Sequence, residues 1–282
     1  MDRSLDAETA LDAAGDPTRL AILRALFETG GGPVSFSELQ TDVELRDSGL
    51  FNYHLGKLVG PFVRKDEDGY HLRHAGEQVV GAVLAGTYGP DRSVGPVSVE
   101  GACFDCGGPL VARYVDDHGS VACADCDTPV TRYRMPSGLF DDREADALPG
   151  LLHRWVRLDV VRLGAGICPV CLGPLTGRLD TPPGVDLPVP GVAFTCDRCG
   201  MHAGGTVGLV LLDHPTVAAF HFDHGVDLRT DSVWRLDWLF DPDAVELVDE
   251  DPPTVRVTVR LDGDELTATV RGDLSVDVDG LV

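Results

Sequence analysis

Apolar and polar residues alternate at helical spacing along the first part of the chain. The pattern over Ala7–Phe27 predicts two helices around a break at Gly15-Asp16-Pro17. Asp16 is suited to cap the second helix, and Pro17 to occupy its first position, because no backbone N–H is needed there. The chain is therefore expected to open with two short helices.

Residues 36–73 continue with a pattern that predicts helix, turn, helix and then a hairpin. A short helix is expected over Ser37–Thr41, and a longer one over Ser48–Val59, which Asp47 or Ser48 can cap. Strand-like runs at residues 62–65 and 69–73 flank a hairpin turn signal. This order of elements is that of a winged helix-turn-helix, in which the second helix enters the DNA major groove.

The predicted helix Ser48–Val59 has two different faces. Its spacing turns four apolar residues toward a core: Phe51, Leu55, Leu58 and Val59. The other face carries small and hydrogen-bonding residues: Gly49, Asn52, Tyr53, Gly56 and Lys57. Such residues suit a major groove, where Asn can pair with adenine and Lys with guanine or phosphate.

After residue 88 the patterns become more varied. The stretch 89–100 is rich in Gly, Pro, Ser and Val and predicts a linker, while apolar spacing predicts a helix over Asp141–Leu163. Thr206–Leu212 reads as a buried strand, followed by a helix over Thr216–His224 that Asp213 can cap. The tail predicts an antiparallel meander in four strands: Ser232–Phe240, Val255–Leu261, Glu265–Arg271 and Leu274–Val278.

All eight cysteines fall in four C-x2-C pairs. The first two pairs are Cys103 with Cys106 and Cys123 with Cys126, and the last two are Cys168 with Cys171 and Cys196 with Cys199. Two such pairs supply the four thiolates of one tetrahedral zinc ion. With strand-like residues between the pairs, the spacing predicts two zinc ribbons and two structural zinc ions per chain, which would supplement cores too small to be stable alone.

Other uses of the cysteines and histidines fit less well. Disulfides are rare inside cells, a thioredoxin-like motif needs a βαβ setting, and four thiolates leave no open position for catalysis. Some zinc ribbons bind nucleic acid, and basic residues near the first site offer that alternative: Arg113, His118, Arg132 and Arg134. A further metal site is an alternative at His214, His221, Asp223 and His224, although surface or capping histidines are the simpler interpretation.

The net charge of −23 changes the expected surroundings of the protein. Asp far outnumbers Glu, and Lys57 and Lys65 are the only lysines, a composition that resembles proteins of halophilic archaea. In molar salt the Debye length is only ~3 Å, so repulsion between such a surface and DNA is largely screened. An acidic protein that never meets nucleic acid is the alternative. With no apolar run of membrane-spanning length and no signal pattern, a soluble cytoplasmic protein without a membrane partner is expected.

The charge is unevenly distributed. Between Leu45 and Arg73, five Arg and Lys residues outnumber four Asp and Glu residues, and both lysines of the chain lie there. The one stretch expected to meet DNA is thus locally basic, as nucleic-acid binding requires.

The run LDAAGDPTRLAILRALFE, followed by FNYHLGKL, resembles the N-terminal signature of the ArsR type of winged helix regulators over about residues 5–86. The resemblance implies a DNA-binding winged helix and a homodimer. Its interface would be formed by the first and last helices, here Leu5–Ala14 and Ala75–Thr87. Members that sense metals use cysteines within this domain, and this chain has none there.

These observations predict an α+β multidomain chain without enzymatic activity that acts as a DNA-binding transcriptional regulator. The expected divisions are a winged helix-turn-helix (1–88), a linker (89–100), two zinc ribbons (101–137 and 164–205) with a connecting helix (138–163) between them, and a small α+β domain with an antiparallel meander (206–282). The expected contacts to double-stranded DNA are Arg46, Ser48, Gly49, Asn52, Tyr53, Lys57, Arg64, Lys65 and His71. The zinc-held part would sense a signal, extend the dimer or recruit a partner.

Two other functions remain open at this stage. One is an adaptor that docks on the transcription machinery through the winged helix and the ribbons instead of binding DNA. The other is an enzyme that uses the histidine-rich segment and a metal ion.

Overall fold

The computed structural model describes residues 7–181 and 187–279, which form a mixed α+β chain with several antiparallel sheets. Two compact units are present, Met1–Pro90 with Pro136–Asp141 (unit 1) and Asp91–Met135 with Asp142–Val282 (unit 2). Parts of three predictions lie outside the described residues: the start of the first helix, residues 182–186 of the Pro-rich segment before Gly191, and the last three residues of the C-terminal domain.

Unit 1 is mainly helical. Its elements are α1 (Ala7–Ala14), α2 (Pro17–Glu28), α3 (Phe36–Asp42), α4 (Ser48–Leu58), β1 (Val63–Lys65), β2 (Tyr70–Leu72) and α5 (His74–Leu84). As predicted, Asp16 caps α2, and its carboxylate accepts from the N–H groups of Thr18 and Arg19 at 2.9 and 3.1 Å. A capping box of Ser35 and Glu38 starts α3.

The core of unit 1 lies between α2, α4 and the hairpin. Its fully buried side chains include Ile22, Leu23, Leu26, Leu39, Phe51, Leu55 and Leu58. The predicted inward face of α4 is therefore confirmed at three of its four positions. Val59 is the exception, because it is 36% exposed and is the C-cap residue, where the backbone is already extended.

Helices α3 and α4 contact each other through one aromatic pair and one polar side chain. The rings of Phe36 and Phe51 meet edge to face with centroids 5.0 Å apart. Gln40 donates to the carbonyl of Leu45 at 2.8 Å and lies 3.0 Å from the Ser48 hydroxyl. The Gln40 side chain on α3 thus fixes the connection between α3 and α4.

The hairpin pairs β1 with β2 antiparallel, with Val63 opposite Leu72 and Lys65 opposite Tyr70. Val34 adds a further bridge, since its N–H and carbonyl bond the backbone of Tyr70 at 3.0 and 2.9 Å. Gly69 must be a glycine at this crossing. Its φ is +138°, and a Cβ there would lie 2.6 Å from the Val34 carbonyl oxygen.

Replacing Gly69 with alanine should destabilise unit 1 by roughly 1–3 kcal/mol, because the methyl group meets backbone and the φ is unfavourable. Gly60 is a matched control, since its φ is also positive at +106° but a Cβ there meets nothing within 4 Å. Urea unfolding of both variants measures the difference. Equal losses of stability would contradict the close approach of Val34 to the hairpin.

Residues 136–141 also belong to unit 1 and pack on the end of α5. The N–H of Gly138 donates to the carbonyl of Ala85 at 2.9 Å, and the Ser137 hydroxyl donates to Gly86 at 3.2 Å. This short segment was predicted to belong to the first ribbon and the connecting helix, and that assignment is wrong. Its contacts are with residues distant in sequence, which no local pattern reports.

Unit 2 contains three antiparallel sheets, in the orders β3-β4-β5-β6, β7-β8-β9 and β10-β11-β12-β13. The strands are β3 (Ser93–Ala102), β4 (Pro109–Val115), β5 (His118–Cys123), β6 (Pro129–Arg134), β7 (Leu175–Leu179), β8 (Gly191–Cys196), β9 (His202–Thr206), β10 (Val245–Glu250), β11 (Pro253–Leu261), β12 (Asp264–Arg271) and β13 (Val276–Asp279). Its helices are α6 (Leu148–Gly164) and α7 (Pro215–Asp223). The last three strands of the predicted C-terminal meander are confirmed as β11, β12 and β13.

Several predicted boundaries in unit 2 are wrong. Most of the expected linker is the strand β3, and α6 begins at Leu148 instead of Asp141. Two predicted strands, Thr206–Leu212 and Ser232–Phe240, are mostly short 3-10 helices. The continuous apolar run of the first does not distinguish strand from helix, and the apolar–polar alternation of the second imitates a strand. Asp213 does not cap α7, which His214 precedes without a side-chain cap.

The first strand of the meander was missed. Strand β10 is an exposed edge strand of sequence VELVDE, which lacks the apolar alternation of a buried strand. It pairs with β11 over Val245↔Val257 to Glu250↔Pro253.

The ribbons, connecting helix and C-terminal segment predicted separately belong to one compact unit. Phe104 of the first cysteine turn stacks on Phe240, with centroids 5.0 Å apart. On α6, His153 lies 3.2 Å from the carbonyl of Arg229. These contacts between distant segments explain why unit 2 is not a row of small domains. Within the described part of the chain, no helix is long and apolar enough to cross a membrane.

Candidate metal centres and nucleic-acid interface

The eight cysteines form two clusters, as their spacing predicts. The first cluster is Cys103, Cys106, Cys123 and Cys126, and the second cluster is Cys168, Cys171, Cys196 and Cys199. Within each cluster the four sulfur atoms lie within 4.8 Å of one another. All eight side chains are free thiols.

The sulfur spacing fits one tetrahedral metal ion per cluster. In the first cluster Cys103 and Cys126 are 3.7 Å apart, and Cys106 and Cys123 are 3.5 Å apart. Four zinc–sulfur bonds of ~2.3 Å in a tetrahedron would separate the sulfur atoms by roughly 3.8 Å. A disulfide would need about 2.05 Å, so the disulfide alternative is wrong.

Backbone N–H groups support negative charge on these sulfur atoms. In the first cluster Asp105, Gly108 and Asp125 donate to cysteine sulfurs at 3.4 Å, and in the second Val170 donates to Cys168 at 3.4 Å. Such bonds stabilise thiolates, the form that binds metal. The donor set is complete with four sulfurs, so it favours a structural ion over a catalytic one.

The two clusters have the same local construction. The segments CFDCGGPL (103–110) and CPVCLGPL (168–175) are alike, and in each the first cysteine N–H donates to the carbonyl of the glycine five residues later, at 2.9 Å. The register also matches, because Leu110 pairs with Cys123 and Leu175 with Cys196. Unit 2 therefore contains one cysteine motif twice.

In each cluster one thiol has a lowered pKa and a neighbouring thiol has a raised one. The Thr128 hydroxyl and N–H lower the pKa of Cys126 to about 6. The Gly108 N–H favours the thiolate of Cys106, but the neighbouring thiols of Cys126 and Cys123 outweigh it and raise the pKa of Cys106 to about 12. The second cluster repeats this split, with the Cys196 pKa lowered to about 6, first by the Cys199 N–H. A divalent cation would remove the conflict.

In unit 1, α4 exposes the face that the sequence predicts. Asn52, Tyr53 and Lys57 are exposed, and Gly49 and Gly56 leave the helix surface low between them. The Lys57 ammonium lies 5.6 Å from the centre of the Tyr53 ring. The arrangement offers an amide, a phenol and a cation within about two helical turns.

Several of the predicted contact residues also contact other side chains of unit 1. The Ser48 hydroxyl is bonded to Gln40, at the N-terminus of α4. The Arg64 guanidinium lies 3.2 Å from Asp66, and the half-buried His71 ring lies 2.9 Å from the same carboxylate. The hydrogen bond from His71 lowers the pKa of Asp66. Lys65 is exposed, with its ammonium 5.1 Å from the Tyr70 ring.

Arg46 is exposed just before the N-terminus of α4. One residue of this surface was missed. Leu50 is an apolar residue of α4, yet it is 46% exposed. At about 100° per residue it projects beside Lys57 and away from Phe51, so a helical projection would have found it.

A family model described as a domain of unknown function, DUF7351, matches residues 100–276. The chain belongs to the DUF7351 family. A second model, also described as a domain of unknown function, DUF7347, matches residues 7–83. No curated protein and no solved structure matches the chain. The DUF7351 segment contains both cysteine clusters, and the DUF7347 segment contains α1 to α4 and most of α5.

The histidines of the DUF7351 segment do not form a metal site around His221. This ring is fully buried, its Nδ1 donates to the Val217 carbonyl at 2.8 Å, and its Nε2 accepts from the Trp238 indole at 3.0 Å. Both nitrogens are used, so the ring is neutral and its role is structural. The His224 ring instead contacts the carboxylates of Asp262 and Asp264, at 3.3 and 3.4 Å.

Proposed function

We propose that this chain is a cytoplasmic DNA-binding transcriptional regulator with an ArsR-like winged helix-turn-helix in unit 1. The observation that carries the proposal is the exposed face of α4, with Asn52, Tyr53 and Lys57, on a helix whose opposite face is fully buried. The hairpin β1-β2 follows it in the chain and exposes Arg64 and Lys65, as a wing does.

The local charge supports the same conclusion. Residues 45–73 carry five Arg and Lys against four Asp and Glu in a chain of net charge −23. At high salt the release of counterions contributes little, so base contacts and shape fit carry more of the affinity. The exposed apolar side chain of Leu50 would suit a thymine methyl group.

Exposed apolar residues on the terminal helices of unit 1 support a homodimer. Leu11 on α1 is 69% exposed, and Leu84 at the end of α5 is 54% exposed. A two-fold dimer would bury both and present two copies of α4 to an inverted repeat.

In unit 2 we assign a structural zinc ion to each cysteine cluster, which makes each sheet a zinc ribbon. The ions would hold together segments with small cores, and the unit would sense a signal, extend the dimer or recruit a partner.

Alanine at Asn52 should change the preferred sequence of the bound DNA, at a cost of about 1–3 kcal/mol for the best site. Alanine at Lys65 should instead weaken binding to all sequences alike and lower the salt dependence by about one contact. Selection from a random DNA pool and titrations at several salt concentrations measure the two effects. Arg24→Ala removes an exposed cation elsewhere in unit 1 and serves as the control. If both Asn52→Ala and Lys65→Ala bind like the parent, the assigned contact surface is wrong.

Crosslinking and immunoprecipitation in cells at native salt tests the function itself. Sharp peaks at promoters that share an inverted repeat are expected. Peaks that follow RNA polymerase would support the adaptor, which the exposed Leu50 and Tyr53 side chains favour as a second candidate. An absence of enrichment would overturn DNA binding.

A further inference from the structure

We infer a second nucleic-acid contact on the sheet β3-β6 of unit 2, made by its outward face to the phosphate backbone. The face is defined by Arg113, His118, Arg132 and Arg134. It lies within the DUF7351 segment, whereas the proposed winged helix lies in unit 1. The inference rests on the proposed DNA-binding function.

The strand register brings these residues together. Arg113 on β4 is opposite Ser120 on β5, and Ser120 is opposite Arg132 on β6. His118 is opposite Arg134 in the next pair along the same face. Directly opposite residues in a sheet lie about 4.5–5.5 Å apart and share a face, so the four basic side chains form one stripe across three strands.

The opposite face of this sheet is the buried one. Leu110, Ala112 and Tyr114 of β4 and Val121 of β5 are fully buried. They alternate with the half-buried Val111, Arg113 and Ser120, which are left on the open face. The arginines therefore point away from the core.

The arginines of this stripe differ from most others in the described chain because they have no acidic partner. Described residues provide no ion pair for Arg113, Arg132 or Arg134, whereas Arg256, Arg260 and Arg271 on the meander pair with Glu246, Glu265 and Asp277. In so acidic a protein, three unpaired arginines on one face indicate an anionic partner. Ser120, which lies between Arg113 and Arg132 in the strand register, adds a hydroxyl, and planar guanidinium groups can bind phosphate through two hydrogen bonds each.

The test is binding of the full-length chain to a random-sequence DNA duplex. Replacing Arg113, Arg132 and Arg134 together with glutamine should weaken binding on the order of tenfold and lower the salt slope by about one per lost contact. The same change at Arg256, Arg260 and Arg271 is the matched control and should leave both unchanged.

Repeating the measurement with Lys57→Ala and Lys65→Ala in the chain separates this inference from the proposed function. If the DNA binding that remains in this variant still depends on the three arginines, the second contact is supported independently of DNA binding by unit 1. If the glutamine variant binds DNA like the parent, or no more weakly than the meander control, the inference is overturned. A single-stranded RNA probe that binds more tightly than the duplex, with the same dependence, would overturn the assignment to duplex DNA.

A separate observation carries a second proposal, that the first cluster releases its metal more readily than the second. The position two residues after the third cysteine is Asp125 in the first cluster and Arg198 in the second. Each lies against the matching glycine. A Cβ on Gly108 would be 2.7 Å from the Asp125 carboxylate, and one on Gly173 would be 3.2 Å from Arg198 Nε.

A second pair of matching positions also gives the first cluster more negative charge than the second cluster. Asp105 of the first cluster corresponds to Val170 of the second. The Thr128 hydroxyl lies 3.1 Å from Cys126 Sγ and donates to Asp105 at 3.1 Å. Four thiolates around a divalent ion leave two negative charges, which carboxylates disfavour and a guanidinium stabilises. Groups outside the ligand shell change metal affinity about 10–100-fold.

The zinc-reconstituted chain should be challenged with EDTA and the freed thiols alkylated and mapped. Cysteines of the first cluster should react before those of the second. Asp125→Arg should slow release from the first cluster and Arg198→Asp should speed release from the second, each about tenfold. The controls Glu265→Arg and Arg260→Asp make the same charge changes on the meander. Release in the reverse order, or an order that neither swap alters, would overturn the proposal, as would a chain that takes up no zinc.

Discussion

Replacing Cys168 with serine should remove one metal ion per chain and unfold the sheet β7-β8-β9. The Cys168 side chain is fully buried, and its sulfur lies 3.7 Å from Cys199 and accepts the N–H of Val170 at 3.4 Å. Structural zinc contributes on the order of 10 kcal/mol or more to the folding of small metal-bound segments. Without it, this three-stranded sheet has too small a core of its own.

The measurements are the metal-to-protein ratio and hydrogen exchange along the chain. The metal-to-protein ratio should fall from two to one. Hydrogen exchange should become faster in β7-β8-β9 first, while the exchange rates in unit 1 stay the same. Val170→Ser is the matched control, because this side chain lies in the same turn, is 69% exposed and carries no ligand. A Cys168→Ser chain that keeps two ions would refute the assigned ligand set.

Replacing His221 with alanine should destabilise unit 2 by about 3–5 kcal/mol while both metal ions remain bound. The substitution leaves a cavity in place of a fully buried ring and removes the acceptor of the Trp238 indole N–H. Urea unfolding and metal analysis measure the two outcomes. His224→Ala is the control, because its ring meets exposed aspartates and its loss should cost far less. Loss of an ion on His221→Ala would revive the histidine-based metal site.

The same buried ring predicts a dependence on pH. Burial lowers the pKa of His221 below its ordinary value of 6.5, and burial lowers that of His153 as well. The unfolded chain then binds more protons than the folded one, so stability is full above about pH 6.5 and decreases as the pH falls toward the folded-state pKa. His221→Gln keeps an acceptor for Trp238 but does not titrate. The stability of this variant should therefore decrease less between pH 7.5 and 6 than that of the parent. An equal decrease would exclude His221 as a source of the pH dependence.

Local signals along the chain determined much of unit 1. The caps at Asp16 and Asp47, the apolar spacing in α4 and the turn between β1 and β2 each lie within a few neighbouring residues. Capping and helical periodicity act over that same range, so the sequence alone is sufficient to predict these elements. The cysteine clusters were predictable for a related reason, because a C-x2-C pair is a local turn and two pairs are needed for four ligands.

Only the tertiary structure decided how these pieces combine. The 3-10 segments around Trp234 and Trp238 read as a strand because apolar and polar residues alternate there, as they do in a half-buried strand, and packing selected their conformation. Three contacts join residues that are far apart in sequence: Gly138 with Ala85, Phe104 with Phe240, and His221 with Trp238. The pattern of residues fixes which side chains are apolar, capped or able to bind metal. Which of them meet is decided by close packing of the whole chain, because burial and hydrogen-bond partners are properties of the folded neighbourhood.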